Sequence, residues 1–174
     1  AKEVVKIFSE QSSEKTEGMI LMNHGIFTFG NSAKESYDRM IKLVSKAEDY
    51  LMTHSAWDVK ISEIPEAHSI QVNKIAELRQ KISNVAGKSM LFHITNSKPG
   101  LSFSNNKHVQ SIATRGPLTP DHVIRTKRIP LIGRDIDSFK TEYVSYFKSN
   151  QANAKDRKTM LDPSPRILLD KELG

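Results

Sequence analysis

Apolar residues recur at helical spacing in three long stretches of the chain and alternate, or run together, in several shorter ones. Val4, Val5, Ile7 and Phe8 predict a short amphipathic helix over residues 2–12, followed by the polar turn "SSEKTEG" at 12–18. In "GMILMNHGIFTFG" (18–30) an apolar run leads to Asn23, His24 and Gly25, and alternation then resumes through Ile26, Phe27, Thr28 and Phe29. This predicts a strand pair, or one long strand broken at Asn23-His24-Gly25, over 19–29. Gly25 at the break permits a positive φ or a close backbone approach. Tyr37, Met40, Ile41, Val44, Ala47 and Leu51 predict a helix running to about residue 53, opened by a capping box in which Ser32 and Glu35 serve each other's end of the first turn. "THSAWDVKISEIP" reads as a connector and carries the single tryptophan, Trp57.

The second half repeats the alternation of elements. Ile75, Leu78, Ile82 and Val85 form the stripe of a helix predicted from about Pro65 to Ala86, with proline at its start and Gly87 at its stop. Residues 89–95, "SMLFHIT", predict a strand, and "NSKPGLSFSNN" a loop. "NKHVQSIAT" predicts a short helix capped by Ser104 or Asn105. Thr119, Pro120 and Asp121 form a helix start, "IPLIG" (129–133) a short strand, and Asp135 to about Asn150 a helix carrying Ile136, Phe139, Tyr143, Tyr146 and Phe147. "QANAKDRK" reads as a polar hinge, and "TMLDPSPRILLD" as a loop with two prolines and then a final strand. Short strands alternating irregularly with helices predict α/β layers rather than a doubly wound parallel sheet.

Composition narrows the class. The chain has 174 residues, 37% hydrophobic and 26% charged, which suits one globular domain. No apolar run reaches the ~18 residues of a membrane span, and no signal-peptide pattern opens the chain. Cysteine is absent, which excludes disulfides and thiolate metal sites and accords with a cytoplasmic location. The net charge is +6, but Lys and Glu are interspersed along the helices as on solvated faces, so nucleic acid and membrane are not expected partners. The chain opens on Ala1 directly in a helix pattern and stops straight after the apolar run in "ILLDKELG"; native termini and a piece cut from a longer polypeptide both read this way.

Candidate chemistry begins with the six histidines. They form no HxH, no HExxH and no pair at i, i+4. A zinc site needs three or four protein ligands, so a site at His24 would recruit partners from far away; the other reading is a buried histidine bonded to a backbone carbonyl. There is no GxSxG elbow, no GxGxxG and no Walker loop. His93, in the predicted strand, reads as a core or edge residue. Arg115, His122, Arg125, Lys127 and Arg128 surround the helix start at Thr119–Asp121. Of these, Arg115, Arg125 and Arg128 are candidates to face a substrate phosphate; the alternative is a solvated basic surface complementing the helix dipole.

Residues 1–53, from "AKEVVKIFSE" through "GMILMNHGIFTFGNSAKESYDRMIKLVSKAEDYL", resemble the last third of a class II aldolase/adducin domain: a helix, an apolar strand ending in Asn-His-Gly, a second strand ending in Gly, and a capped helix. "TRGPLTPDHVIRTK" and "TMLDPSPRILLDKELG" resemble the region that follows the aldolase domain in bifunctional rhamnulose-1-phosphate aldolase/short-chain alcohol dehydrogenase proteins, where a Rossmann dehydrogenase domain comes next. The resemblance implies a partial three-layer α/β/α class II aldolase-like sheet with a C-terminal helical extension. Residues 1–56 would be the C-terminal portion of the aldolase-like domain, and 57–174 an α/β extension continuing it. It implies His24 as a ligand of zinc or another divalent metal, with an HxH motif and a catalytic Glu supplied from upstream of this chain. The implied function is that of a C-terminal fragment of a sugar-phosphate lyase, inactive alone and forming a homo-oligomer, with NAD entering only through a separate domain. Two alternatives stand beside it: a non-catalytic adducin-like assembly module, and a parent protein that is mainly an NAD-dependent short-chain dehydrogenase.

Overall fold

A computed structural model describes residues 2–58 and 72–174. The chain divides into two compact units, Ala1–Val59 and Lys60–Gly174. Among the described residues the architecture is mixed α/β, with seven helices and two two-stranded sheets.

The first unit contains α1 (Lys2–Gln11), β1 (Gly18–Leu21), β2 (Gly25–Thr28) and α2 (Ala33–Thr53). The apolar stretch of 18–30 is a strand pair: β1 and β2 run antiparallel, with Gly18 opposite Thr28 and Leu21 opposite Gly25. The reversal is sharp. The His24 amide donates to the Leu21 carbonyl at 3.1 Å, Asn23 adopts φ 56 and Gly25 φ 154. Asparagine tolerates the left-handed region, and glycine alone reaches the second value without strain. The α2 cap forms as the sequence predicts on one side, where the Ser32 hydroxyl accepts from the Glu35 amide. Glu35 reaches one residue further back than a capping box requires and accepts from the Asn31 amide at 2.7 Å. Two side chains of α2 fix it to the hairpin. The Ser36 hydroxyl donates to the Thr28 carbonyl at 3.0 Å, and Arg39 donates to the Phe29 carbonyl at 2.6 Å while pairing with Glu35 at 2.7 Å. Phe8 of α1 meets Phe29 edge to face at 5.4 Å. Neither helix has a buried residue, and Val5, Ile20, Tyr37, Ile41 and Val44 are exposed.

The second unit holds α3 (Val72–Ala86), α4 (Lys98–Ser104), α5 (Val109–Ala113), α6 (Pro120–Thr126), β3 (Leu131–Ile132), α7 (Ile136–Gln151) and β4 (Leu168–Leu169). Its core is where the two long helical stripes meet the short sheet: Leu78 and Ile82 of α3, Leu131 of β3, Ile136 and Phe139 of α7, and Leu173. Ile75 and Val85 flank them, so the stripe read from the sequence is the face that packs. Gly87 ends α3 at φ 68. The predicted start of that helix at Pro65 lies outside the described residues. Asp135 caps α7, its carboxylate accepting from the Ser138 amide at 2.9 Å. β3 and β4 pair in parallel, Leu131 opposite Leu168.

Four expectations are corrected here. Residues 89–95 form no strand among the described residues. Their alternation is real, since Met90, Phe92 and Ile94 pack on the core while Leu91 is 90% exposed, but no neighbouring strand completes a ladder. Part of the predicted loop 96–106 is helix α4: the Ser97 hydroxyl accepts from the Gly100 amide and Pro99 sits in the first turn, a start signal stronger than the Pro-Gly turn signal inside it. Ser104 and Asn105 therefore close α4 instead of capping α5, whose N-cap is His108. The segment 151–158 is a tied loop inside one unit and not a hinge: the Gln151 amide group accepts from the Lys158 backbone at 2.7 Å and donates to the Asp156 carbonyl at 3.3 Å.

Candidate functional site

His24 stands at the tip of the β1–β2 hairpin because the Asn-His-Gly reversal leaves its side chain no wall to pack against. It is exposed, which overturns the buried-histidine reading, and its nearest ring is Phe27 at 5.5 Å. Of the other described histidines, two make local side-chain contacts and His93 and His108 are exposed. His54 shares a 2.8 Å hydrogen bond with the Tyr50 carbonyl and stacks on that ring, His122 bonds the Thr119 hydroxyl at 2.7 Å, and His93 is exposed. His68 lies outside the described residues. No group of three or more His, Cys, Asp or Glu among the described residues could hold a metal. A zinc centre needs three or four donors, so these residues by themselves do not fit one; His24 could be at most one of its donors.

The basic cluster of the sequence divides by burial: its arginines are exposed and Lys127 is buried. Arg115, Arg125 and Arg128 are all exposed. The Arg115 guanidinium donates to the Ser111 carbonyl at 3.3 Å, and Arg128 lies 5.0 Å from the Tyr146 ring. α6 is only seven residues long, and the Thr119 hydroxyl at its cap bonds the His122 ring rather than a backbone amide.

Lys127 leaves this surface altogether. It is 3% exposed, its ammonium donates to the Asp162 carbonyl at 2.5 Å and sits 4.3 Å above the Tyr143 ring. Its backbone at φ 68, ψ 171 occupies a region normally reserved for glycine, so the surroundings hold the strain in place. Burial lowers the Lys127 pKa, with Asp162 opposing, and burial likewise raises that of Tyr143.

The partner of Lys127 is a network that sequence reasoning missed. The Ser164 hydroxyl donates to Asp162 at 2.8 Å, and Arg166 donates to both Asp162 and Ser164 at 2.5 Å. Burial pushes the Asp162 carboxyl up, but the hydrogen bonds from Arg166 and Ser164 more than reverse it and hold the group well below the usual carboxylate range. A signal for this network is present in "DPSPR": prolines at 163 and 165 force Asp162 and Ser164 into extended backbone, which aligns positions 162, 164 and 166 on one side. A second ion network closes the chain's end, where Arg134 pairs with Asp170 at 2.6 Å and with Glu172 at 2.8 Å.

Residues 1–51 match the family described as the class II aldolase and adducin N-terminal domain, and residues 69–174 match the family described as aldolase class II, second domain. The uncharacterized oxidoreductase YuxG of Bacillus subtilis (strain 168) is 24% identical over 182 residues, which cover 91% of this chain and 26% of that protein. The chain thus spans about a quarter of this curated relative's length. No solved structure matches. Among the described residues no helix is long and apolar enough to cross a membrane.

Proposed function

This chain belongs to the class II aldolase/adducin family, and on that premise we propose that it is the C-terminal part of the lyase portion of a longer polypeptide, to which it contributes one metal-ligating imidazole, His24. The observation that carries the reading is the exposed position of His24 on a backbone reversal within the residues that match the aldolase and adducin N-terminal domain. A zinc or other divalent ion in such a centre supplies Lewis-acid polarisation of a sugar-phosphate carbonyl. This chain's own part is to hold one nitrogen donor at a sheet end while the remaining donors and the general base come from elsewhere in the polypeptide. In the same reading the hairpin is the end of a larger three-layer sheet. The exposed Val5, Ile20, Tyr37 and Ile41 are then covered by the rest of that domain or by another copy in a homo-oligomer.

The test is metal analysis of the full-length gene product and its His24→Ala variant. His24 is exposed and its side chain makes no hydrogen bond among the described residues, so the variant should fold normally; its metal content should fall from about one ion per chain to a small fraction of that. Metal content equal to wild type removes His24 from the centre.

A second reading rests on the relative named as an oxidoreductase. In it the longer polypeptide oxidises an alcohol with NAD through a separate domain, and this chain is an accessory to that chemistry. NAD reduction by the full-length product that survives His24→Ala unchanged would favour this reading.

A further inference from the structure

Residues 90–95, α4 and β4 border a cleft of 510 Å³ in the second unit. Ile82 and Leu173 of the core form part of its lining, with Phe92, Ile94, Phe103 and Leu168 around them. The volume lies within the range of small-molecule sites, ~300–1,000 Å³, and the lining is of the apolar kind such sites have. Its end at Thr95 is shut. The Gly174 backbone packs so closely there that a Cβ on it would come within 2.3 Å of the Thr95 carbonyl oxygen, and a Cβ on Gly100 would meet the same oxygen at 2.8 Å. A cleft stopped in this way suits a compact molecule and not a polymer running through it.

The lining also holds a polar group with no partner in the chain. Ser104 is 2% exposed, and among the described residues its hydroxyl is the one buried side-chain polar atom that bonds to nothing. Buried polar atoms are paired in the great majority of cases, because an unpaired one has given up its hydrogen bonds to water without replacement. Alanine would fill the same space without that penalty. A buried hydroxyl on a residue that lines an apolar cleft is accounted for by an occupant that bonds to it. We propose that this cleft binds a neutral, largely apolar small molecule carrying one hydroxyl or carbonyl group, which pairs with Ser104 Oγ while its hydrocarbon part lies against Phe92, Phe103 and Leu168. Neutrality follows from the charges: the Arg166 guanidinium on the lining is committed to Asp162 and Ser164, so an anion finds no guanidinium to pair with there. The proposal does not rest on His24, which belongs to the first unit.

Equilibrium dialysis of the full-length gene product against three probes tests this: thymol, p-cymene, which is thymol without its hydroxyl, and the anion cuminate, which shares their isopropylphenyl frame. The expected result is saturable binding of about one thymol per chain, with p-cymene about fivefold weaker and cuminate weaker still. Ser104→Ala removes a hydroxyl that bonds nothing among the described residues, so it folds; it should cut thymol affinity about five- to tenfold and leave p-cymene within about twofold. Phe103→Ala, at a partly exposed ring on the lining, should weaken thymol and p-cymene alike, which locates both in the cleft. No saturable thymol binding overturns the site. Binding that neither variant changes is an adventitious additive only, held elsewhere, and overturns it too. Thymol affinity lowered by Phe103→Ala but not by Ser104→Ala overturns Ser104 as the anchor, and cuminate binding as tightly as thymol overturns the neutral class of ligand.

Discussion

Asp170 is the residue whose loss should be felt most for its size. Its buried carboxylate accepts four hydrogen bonds: from Arg134 Nε at 2.6 Å and Nη2 at 2.8 Å, and from the amides of Glu172 at 2.9 Å and Leu173 at 3.1 Å. The last two bonds shape the turn that delivers Leu173 to the core, and that turn is closed by reciprocal 2.9 Å backbone bonds between Asp170 and Gly174. Asp170→Ala leaves two amides without their acceptor and the Arg134 guanidinium with Glu172 alone. Removing one member of a buried pair costs about 3–5 kcal/mol; Arg134 is partly open to water, which lowers the expectation here to about 2–4 kcal/mol. Asp170→Asn keeps one carbonyl oxygen for the amides but turns an NH₂ toward the guanidinium, for about 1–2 kcal/mol. Urea unfolding at pH 7 reads this directly: with a slope of about 1.5 kcal/mol/M, a 3 kcal/mol loss moves the midpoint by about 2 M.

The pH dependence supplies an independent check. Burial pushes the Asp170 carboxyl up, but Arg134 and the two amides more than reverse that, so its folded pKa lies below the ordinary 3.8. Its contribution is therefore complete above the unfolded pKa and is lost as pH falls through the folded one. The stability gap between wild type and Asp170→Asn should be full at pH 6 and shrink below about pH 4. A gap under about 0.5 kcal/mol at pH 7, or one that widens on acidification, refutes the account.

Further outcomes follow from single contacts. Leu78→Ala and Ile82→Ala should each destabilise the second unit by about 2–5 kcal/mol in the same unfolding assay, and less than additively together, because they share one small core. At the strained backbone of Lys127, Gly should be better tolerated than Ala: both lose the bond to the Asp162 carbonyl, but only glycine relieves φ 68, so Lys127→Gly should exceed Lys127→Ala in stability by roughly 1 kcal/mol. Ser32→Ala should cost about 1 kcal/mol and fray the start of α2, seen as faster amide exchange at Glu35.

What the sequence determined by itself was everything set by near neighbours. The 3.6-residue stripe of α3, the Ser32 cap of α2 and the reversal at Asn23-His24-Gly25 depend on a few adjacent residues whose backbone preferences and side-chain reach agree, so they could be read directly. The Asn-His-Gly pattern also led to the family, and with it to His24. The tertiary structure decided what depends on partners distant in the chain. Residues 89–95 have the alternation of a strand, yet a strand exists only when another backbone lies alongside, and no local pattern reports that. Lys127 looks like one more surface cation among Arg125 and Arg128, yet it is buried because Asp162, 35 residues away, offers its carbonyl and Tyr143 its ring face. Local chemistry fixes the direction in which a side chain leaves the backbone, and only the packed chain fixes what it meets there.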